Sequence, residues 1–225
     1  MGRPKYMTAI ELVNPAINPV VLNTQPDQAL LNPDSWNGNY LPVINSDNQF
    51  VGYVTLAELQ SMSDSSVLER ENVIRGATLP MDCHYSEVVK LWGSLSMDVL
   101  AVTDSQGVYL GAINSQSLLQ FWATSIGVKQ PGSVIVLQVR SRDYMLSEIV
   151  RIVESNDVKI LNIDVHEATD PEYLWLSLKL DTGILKGVLA SLERYNYHLY
   201  AYFMRSDLQD DSDLKYQQLM KYLDL

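Results

Sequence analysis

The sequence predicts a mixed α+β protein, with two similar units in tandem followed by a third segment of a different pattern. Three observations support this fold class. A run of residues recurs 59 positions later, each copy contains two apolar strands joined by a polar turn, and the pattern changes after Ser125. No apolar stretch is long enough to cross a bilayer.

The internal repeat aligns residues 41–55 with residues 100–114 without a gap. In each copy an apolar run rich in β-branched residues precedes a polar turn and a second apolar run, which predicts a β-hairpin. The matched pairs are Leu41 and Leu100, Val43 and Val102, Phe50 and Tyr109, Val51 and Leu110, and Gly52 and Gly111.

Helices are predicted on both sides of each hairpin. Thr55 and Asn114 end the second strand, where a side-chain oxygen can accept a hydrogen bond from the first free N–H groups of a helix. Because one copy alone has little core, we expect the two copies to pack sheet to sheet. The predicted helices cover residues 27–32, 56–62, 85–95 and 115–124.

The third segment has the predicted order β-α-β-β-α-β, which is the ferredoxin-like arrangement. Its strands cover residues 133–139, 159–166, 173–180 and 197–204, and its helices cover residues 146–154 and 185–192. We interpret the tyrosines at 195, 197, 200 and 202 as core or sheet packing, with a partner surface as the alternative, and expect Tyr200 and Tyr202 on one face. Residues 126–132 form a predicted linker, and residues 206–225 an acidic tail with a short helix.

Composition excludes several function classes. The chain has 225 residues, a net charge of −11 and one cysteine, so we expect a cytoplasmic protein that binds neither nucleic acid nor membrane. No metal-ligand, phosphate-loop or catalytic motif occurs, and no cofactor or enzymatic activity is expected. Cys83 and His84 are adjacent, but chain neighbours in a strand point apart, so we expect structural or surface roles for both.

The first two units together resemble a CBS domain pair (Bateman module), on the strength of the doubled hairpin and the run from Gly52 through Thr55 to Glu58. The resemblance covers residues 7–125, with repeat 1 at about 7–65 and repeat 2 at about 66–125, and implies β-α-β-β-α repeats. Residues 133–205 resemble an ACT domain, as in bacterial CBS–ACT regulatory proteins.

The resemblance implies a cleft for an adenosine-containing nucleotide such as AMP, ADP, ATP or S-adenosylmethionine. Thr55 would contact phosphate and Glu58, in place of the usual Asp, the ribose hydroxyls. Asn114 and Ser117 occupy the matching positions of repeat 2, where the carboxylate is missing, and Thr24 and Pro42 complete the implied ligand-binding set. Alternatively, Thr55 and Glu58 form a capping box and bind nothing.

Two functions follow from the resemblance. One is a non-catalytic sensor in which nucleotide binding changes the geometry of a homodimer that acts on an unknown regulated protein. The other is a ligand-free assembly or adaptor module. The loop at residues 142–146 has no glycine, whereas the ACT family's amino-acid site depends on one, and this favours the second function.

Overall fold

The computed structural model describes residues 7–26, 38–63 and 66–204. The predicted helices over residues 27–32 and 206–225 lie outside these ranges. Contacts divide the chain into two compact units between Ala123 and Thr124, and each is described by itself below.

The first unit contains two three-stranded sheets, ordered β1-β2-β3 and β4-β5-β6. In each sheet the first strand pairs parallel to the second, and the other two form the predicted antiparallel hairpin. The strands are β1 (Val20–Val21), β2 (Tyr40–Ile44), β3 (Phe50–Thr55), β4 (Thr78–Pro80), β5 (Val99–Thr103) and β6 (Tyr109–Asn114). The helices are α1 (Leu56–Ser61), α2 (Tyr85–Ser94) and α3 (Ser115–Ala123), and 3₁₀ turns lie at Ala9–Leu12 and Arg70–Asn72.

The two hairpin turns bond to each other with the symmetry of the sequence repeat. Phe50 N–H donates to the Gly107 carbonyl at 3.0 Å, and its counterpart Tyr109 N–H donates to the Asn48 carbonyl at 2.9 Å. Asn48 and Gly107 both have positive φ, 58° and 80°, in the left-handed region that tight turns use. The two hairpins, whose matching residues are 59 positions apart in the sequence, are therefore related by an approximate two-fold axis.

The sheets bury their apolar faces against each other, as predicted for the two copies. One core cluster contains residues from β2 and β3 together with residues from β5 and β6. Its members are Ile17, Val20, Leu41, Val43, Ile44, Tyr53, Val54, Leu59, Leu68, Val99, Ala101, Tyr109 and Ala112.

The segment that precedes each repeat packs into the other repeat. Ala9 N–H donates to the Cys83 carbonyl at 2.9 Å, and Ala9 and Leu12 are buried in the second repeat's core. In the opposite direction, Leu68 is buried in the first repeat's core, where its N–H donates to the Thr24 carbonyl at 2.9 Å. Each core thus includes apolar residues from the segment that precedes the other repeat.

The second unit has the predicted order of strands and helices, and its antiparallel sheet is ordered β10-β7-β9-β8. Helices α5 and α6 pack on one face of this sheet and enclose a separate core. The elements are α4 (Ile126–Lys129), β7 (Ser133–Arg140), α5 (Leu146–Glu154), β8 (Ile160–Glu167), β9 (Tyr173–Leu180), α6 (Lys186–Arg194) and β10 (His198–Phe203). The short helix α4 lies inside the predicted linker.

A β-bulge in β10 corrects the predicted arrangement of the tyrosines. The register shifts between Leu199 and Ala201, so one residue of β10 has no partner in β7. Tyr202 consequently packs against the helix-covered core, whereas Tyr200 is exposed and stacks on Trp175, with ring centroids 5.3 Å apart. The two tyrosines lie on opposite faces, because strict alternation fails at a bulge.

Candidate functional site

Thr55 stands at the junction of β3 and α1 in the first repeat. Its Oγ1 accepts a hydrogen bond from Glu58 N–H at 3.1 Å, so the predicted N-cap is confirmed. The side chain is half-buried, and among the described residues no acceptor is recorded for its hydroxyl proton, which can donate a further bond.

The Glu58 carboxylate is held by a residue that the sequence did not single out. Asn72 Nδ2 donates to Glu58 Oε1 at 2.9 Å, and Asn72 Oδ1 accepts from Glu69 N–H at 3.1 Å. The second bond fixes which way the Asn72 amide points. Glu58 therefore faces Asn72 in the segment between the repeats instead of closing a capping box. No local pattern marks this contact, because the pair is 14 residues apart and the segment crosses between cores.

Thr24 and Pro42 flank this pair in different ways. The Thr24 carbonyl accepts from Leu68 N–H, which places Thr24 beside the same segment that carries Asn72. Pro42 is buried and pairs with Tyr53 in the hairpin. Since Tyr40 pairs with Thr55 in the same ladder, Pro42 and Thr55 share one face of the hairpin. Hydrogen bonds therefore join Asn72 to Glu58 and Glu58 to Thr55, whereas Thr24 is connected to the segment that carries Asn72 only through Leu68, and Pro42 shares a hairpin face with Thr55.

The matching positions of the second repeat bond to each other. Ser117 N–H donates to Asn114 Oδ1 at 2.9 Å, and Asn114 N–H donates to Ser117 Oγ at 3.3 Å. The Ser117 hydroxyl in turn donates to the Asn114 carbonyl at 2.9 Å. Asn114, the predicted cap of α3, is only 1% exposed. These bonds engage the Asn114 side-chain oxygen and the Ser117 hydroxyl, and no carboxylate stands at the position that matches Glu58.

A cleft lies at one end of the sheet in the second unit. It has a volume of about 360 Å³ and includes the end of β7, the start of α5 and the turn before β10. Within it, the Tyr197 hydroxyl donates to Glu148 Oε2 at 2.6 Å. Burial, and after it this bond to Glu148, raises the pKa of Tyr197. No local sequence pattern marks this pair, because the two residues are 49 positions apart.

Two arginines border tyrosine rings at the same end of this sheet. The Arg140 guanidinium lies 5.9 Å from the Tyr173 ring centroid, and that of Arg151 lies 5.3 Å from the Tyr195 centroid. Met145 immediately precedes α5 and is exposed, so this glycine-free loop carries a long, flexible side chain at its end.

Cys83 and His84 have structural contacts. Cys83 packs against the second repeat's core, and burial, followed by the charges of Asp82 and Glu87, raises its pKa. The raised pKa disfavours the reactive thiolate. His84 caps α2, because its Nδ1 accepts from Ser86 N–H at 3.3 Å and lies 2.8 Å from Ser86 Oγ.

Residues 7–26, 38–63 and 66–204 contain neither a cluster of metal-ligating side chains nor a helix that could cross a bilayer. No group of three or more His, Cys, Asp or Glu side chains is placed to hold a metal ion there. Likewise, no helix in these ranges has both the length and the hydropathy of a bilayer-spanning segment.

Comparisons with known proteins give one consistent likeness. No family model matches the chain. Among solved structures, the cytosolic domain of the Mg²⁺ channel MgtE, in complex with ATP, is 20% identical over 52% of this chain and 49% of its own, with a TM-score of 0.46. The chain thus spans about half the length of that domain.

Two shorter structures are similar over the same share of the chain. The CBS domains of a transcriptional regulator from Streptococcus pneumoniae are 17% identical over 52% of this chain and 99% of theirs, with a TM-score of 0.46. A CBS domain pair/ACT domain protein from Thermotoga maritima is 16% identical over 52% and 96% respectively, with a TM-score of 0.47. The chain is therefore similar, over about half its length, to CBS domain pair proteins.

Proposed function

We propose that this chain is a non-catalytic regulatory protein that binds an adenosine-containing nucleotide at the first repeat, beside Thr55 and Glu58. Binding changes the geometry of a homodimer, and that change is transmitted to a regulated protein.

The difference between the two repeats carries the proposal. In the first repeat, Asn72 occupies only Glu58 Oε1, and the described residues show no partner for Oε2. A carboxylate oxygen and the Thr55 hydroxyl proton therefore remain for a ligand. A carboxylate accepts strongly from vicinal hydroxyl groups such as those of ribose. In the second repeat, Asn114 and Ser117 bond to each other. We therefore assign one nucleotide to each chain, at the first repeat.

The contacts of Glu58 offer a route from binding to regulation. Asn72 belongs to the segment that links the repeats, and the same segment contributes Leu68 to the first repeat's core. A ribose that engages Glu58 competes with, or reinforces, the bond to Asn72. Any ligand that favours one position of this segment shifts the equilibrium between two arrangements of the repeats.

A thermal-shift titration tests the proposal, using AMP, ADP, ATP and S-adenosylmethionine. At a free concentration 100 times Kd, the ligand should stabilise the protein by about 2.7 kcal/mol, which raises Tm by a few degrees. Glu58→Gln should abolish the shift while its amide oxygen still accepts from Asn72.

Two outcomes separate the proposal from its alternatives. Ser117→Ala is the matched control at the second repeat, and its nucleotide response should equal that of the unmodified protein. No response to any nucleotide at millimolar concentration would reject the sensor function. An equal response in Glu58→Gln would reject the site.

A ligand-free adaptor is the second candidate function, and two observations favour it. Asn114 and Ser117 bond to each other in the second repeat, and Met145 occupies the loop where an ACT site has glycine. If the titration shows no nucleotide response, the adaptor function becomes the better account.

A further inference from the structure

The sequence of the first repeat contains no cationic side chain. Residues 7–69 include no Lys, Arg or His, but they include seven Asp or Glu residues. Proteins hold phosphate groups chiefly through charge-assisted hydrogen bonds from Lys and Arg. Within the first repeat, no side chain can supply that charge to a nucleotide. The acidic residues are Glu11, Asp27, Asp34, Asp47, Glu58, Asp64 and Glu69.

The rest of the first unit adds few positive charges. Arg70 and Arg75 are exposed and line a cleft beside Val51 that includes neither Thr55 nor Glu58. Lys90, on α2, forms an ion pair with Glu87 at 3.8 Å. Over residues 7–123, these three cations stand against twelve Asp or Glu residues, a net charge of −9. The field of this unit therefore repels anions and attracts cations.

A carboxylate from the second repeat lies beside the site in the first. Asp98 Oδ2 accepts a hydrogen bond from Asn39 N–H, and the Asn39 carbonyl accepts from Leu56 N–H at 3.1 Å. Leu56 is the first residue of α1, so one residue separates Asp98 from the helix that Thr55 caps. The approach is close, because a Cβ added at Gly38 would lie 2.6 Å from Asp98 Cγ.

The second oxygen of the Asp98 carboxylate has no partner. Asp98 Oδ1 is buried and makes no hydrogen bond to any described residue, and burial of an unpaired carboxylate oxygen is unfavourable. Glu58 Oε2 likewise has no partner among the described residues. Helix α1 has only six residues, so it sums few peptide dipoles with which to offset these two charges. The site therefore has a surplus of negative charge.

We propose that the adenosine ligand of the first repeat carries a positive charge, as the sulfonium group of S-adenosylmethionine does, and that Glu58 and Asp98 select for this charge. The cation need not touch Asp98 Oδ1, because the Coulomb energy of two charges falls only with the inverse of their distance. AMP, ADP and ATP are anions, which both carboxylates repel. The inference rests on the proposed function and narrows it to one class of ligand.

Calorimetric titration of the full chain with S-adenosylmethionine and S-adenosylhomocysteine tests the charge alone. These two ligands differ only in the methyl group that makes the sulfur cationic. S-Adenosylmethionine should bind at least about 10-fold more tightly than S-adenosylhomocysteine, and also more tightly than AMP or ATP. Added salt should weaken its binding, because salt screens the attraction.

Asp98→Asn removes the charge of the second carboxylate with little change of shape. Its amide oxygen can still accept from Asn39 N–H. The preference for S-adenosylmethionine over S-adenosylhomocysteine should fall by about threefold to tenfold, while the Kd of S-adenosylhomocysteine stays the same. Asp82→Asn is the matched control, because it removes an equal charge at an exposed position of the second repeat. Its preference should equal that of the unmodified protein.

The outcomes separate this inference from the proposed function. A preference that falls in Asp98→Asn but not in Asp82→Asn supports it. Equal affinities for the two sulfur ligands, a preference unchanged in Asp98→Asn, or tighter binding of AMP or ATP overturns it and leaves an adenosine site in place. Tighter binding of ATP only with Mg²⁺ overturns it too, because the metal ion then supplies the charge. If none of these compounds binds, the proposed function is rejected as well.

Discussion

Tyr53 joins the two repeats of the first unit through one hydroxyl group. The hydroxyl donates to the Ala77 carbonyl and accepts from Ala101 N–H, both at 2.8 Å, and the residue is fully buried. Its position links a hairpin strand of the first repeat to the central strand of the second. A buried phenol with both bonds made adds specificity to the core as well as apolar area.

Removal of this hydroxyl should be costly. Tyr53→Phe leaves a buried N–H and a carbonyl without their partner, so we expect the free energy of unfolding to fall by about 1–3 kcal/mol in urea titrations. Tyr109→Phe is the control, because its buried hydroxyl has no hydrogen-bond partner among the described residues. That change should be neutral or stabilising. Equal losses in both variants would show that the two hydrogen bonds of the Tyr53 hydroxyl do not contribute to the free energy of unfolding.

The same tyrosines predict a loss of stability in alkali. Burial raises the pKa of Tyr53 to about 12, against about 10 in the unfolded chain, and burial raises that of Tyr109 as well. Above pH 10 the unfolded state loses these protons first, so stability present below pH 10 declines as pH rises towards 12. Each tyrosine contributes a slope of at most about 1.4 kcal/mol per pH unit.

Urea titrations between pH 9 and pH 12 measure this decline. Tyr109→Phe should show a shallower slope than the unmodified protein, since one titrating group is gone. An unchanged slope would mean that the pKa of Tyr109 is not raised in the folded state.

At the scale of elements, Gly111 in β6 lies directly against the segment that precedes the first repeat. It has a φ of 147°, and a Cβ at this position would lie 2.3 Å from Val13 Cγ1, in the segment that precedes the first repeat. The β-branched Val13 side chain has few alternative rotamers with which to move aside.

Gly111→Ala should therefore destabilise the first unit by about 1–3 kcal/mol, as overpacked core positions do. Chemical denaturation monitored by circular dichroism measures the change. Gly183→Ala is the control, because nothing lies within 4 Å of its added Cβ. A similar stability for both variants would contradict the close approach of Val13.

At the scale of the whole molecule, the two units have separate cores. The core of the second unit contains residues only from β7 onward, and the proposed nucleotide site lies entirely within the first unit. Ile152, in α5, is 1% exposed in that separate core.

Ile152→Ala should destabilise the second unit by about 2–5 kcal/mol while the nucleotide Kd at the first unit stays the same. Differential scanning calorimetry and calorimetric titration measure the two quantities. A changed Kd would show that the second unit contributes directly to nucleotide binding.

Most elements of both units were predictable from the sequence, because helical periodicity, strand alternation and turn residues act over short distances. Examples of such locally determined features are the hairpins around Gly52 and Gly111 and the helix caps at Thr55 and Asn114. The bulge before Ala201 was not predictable, since a single unpaired residue leaves almost no trace in an alternating pattern.

By itself, the sequence determined the repeat, the order of strands and helices, and the fact that only the first repeat keeps a carboxylate beside its helix cap. Three features were decided by the tertiary structure alone. Each segment that precedes a repeat packs into the core of the other repeat, Asn72 donates a hydrogen bond to Glu58, and Tyr200 and Tyr202 lie on opposite faces of the sheet. These features depend on contacts between residues distant in the chain and on register. Local propensity, which governs helices and turns, carries no information about either.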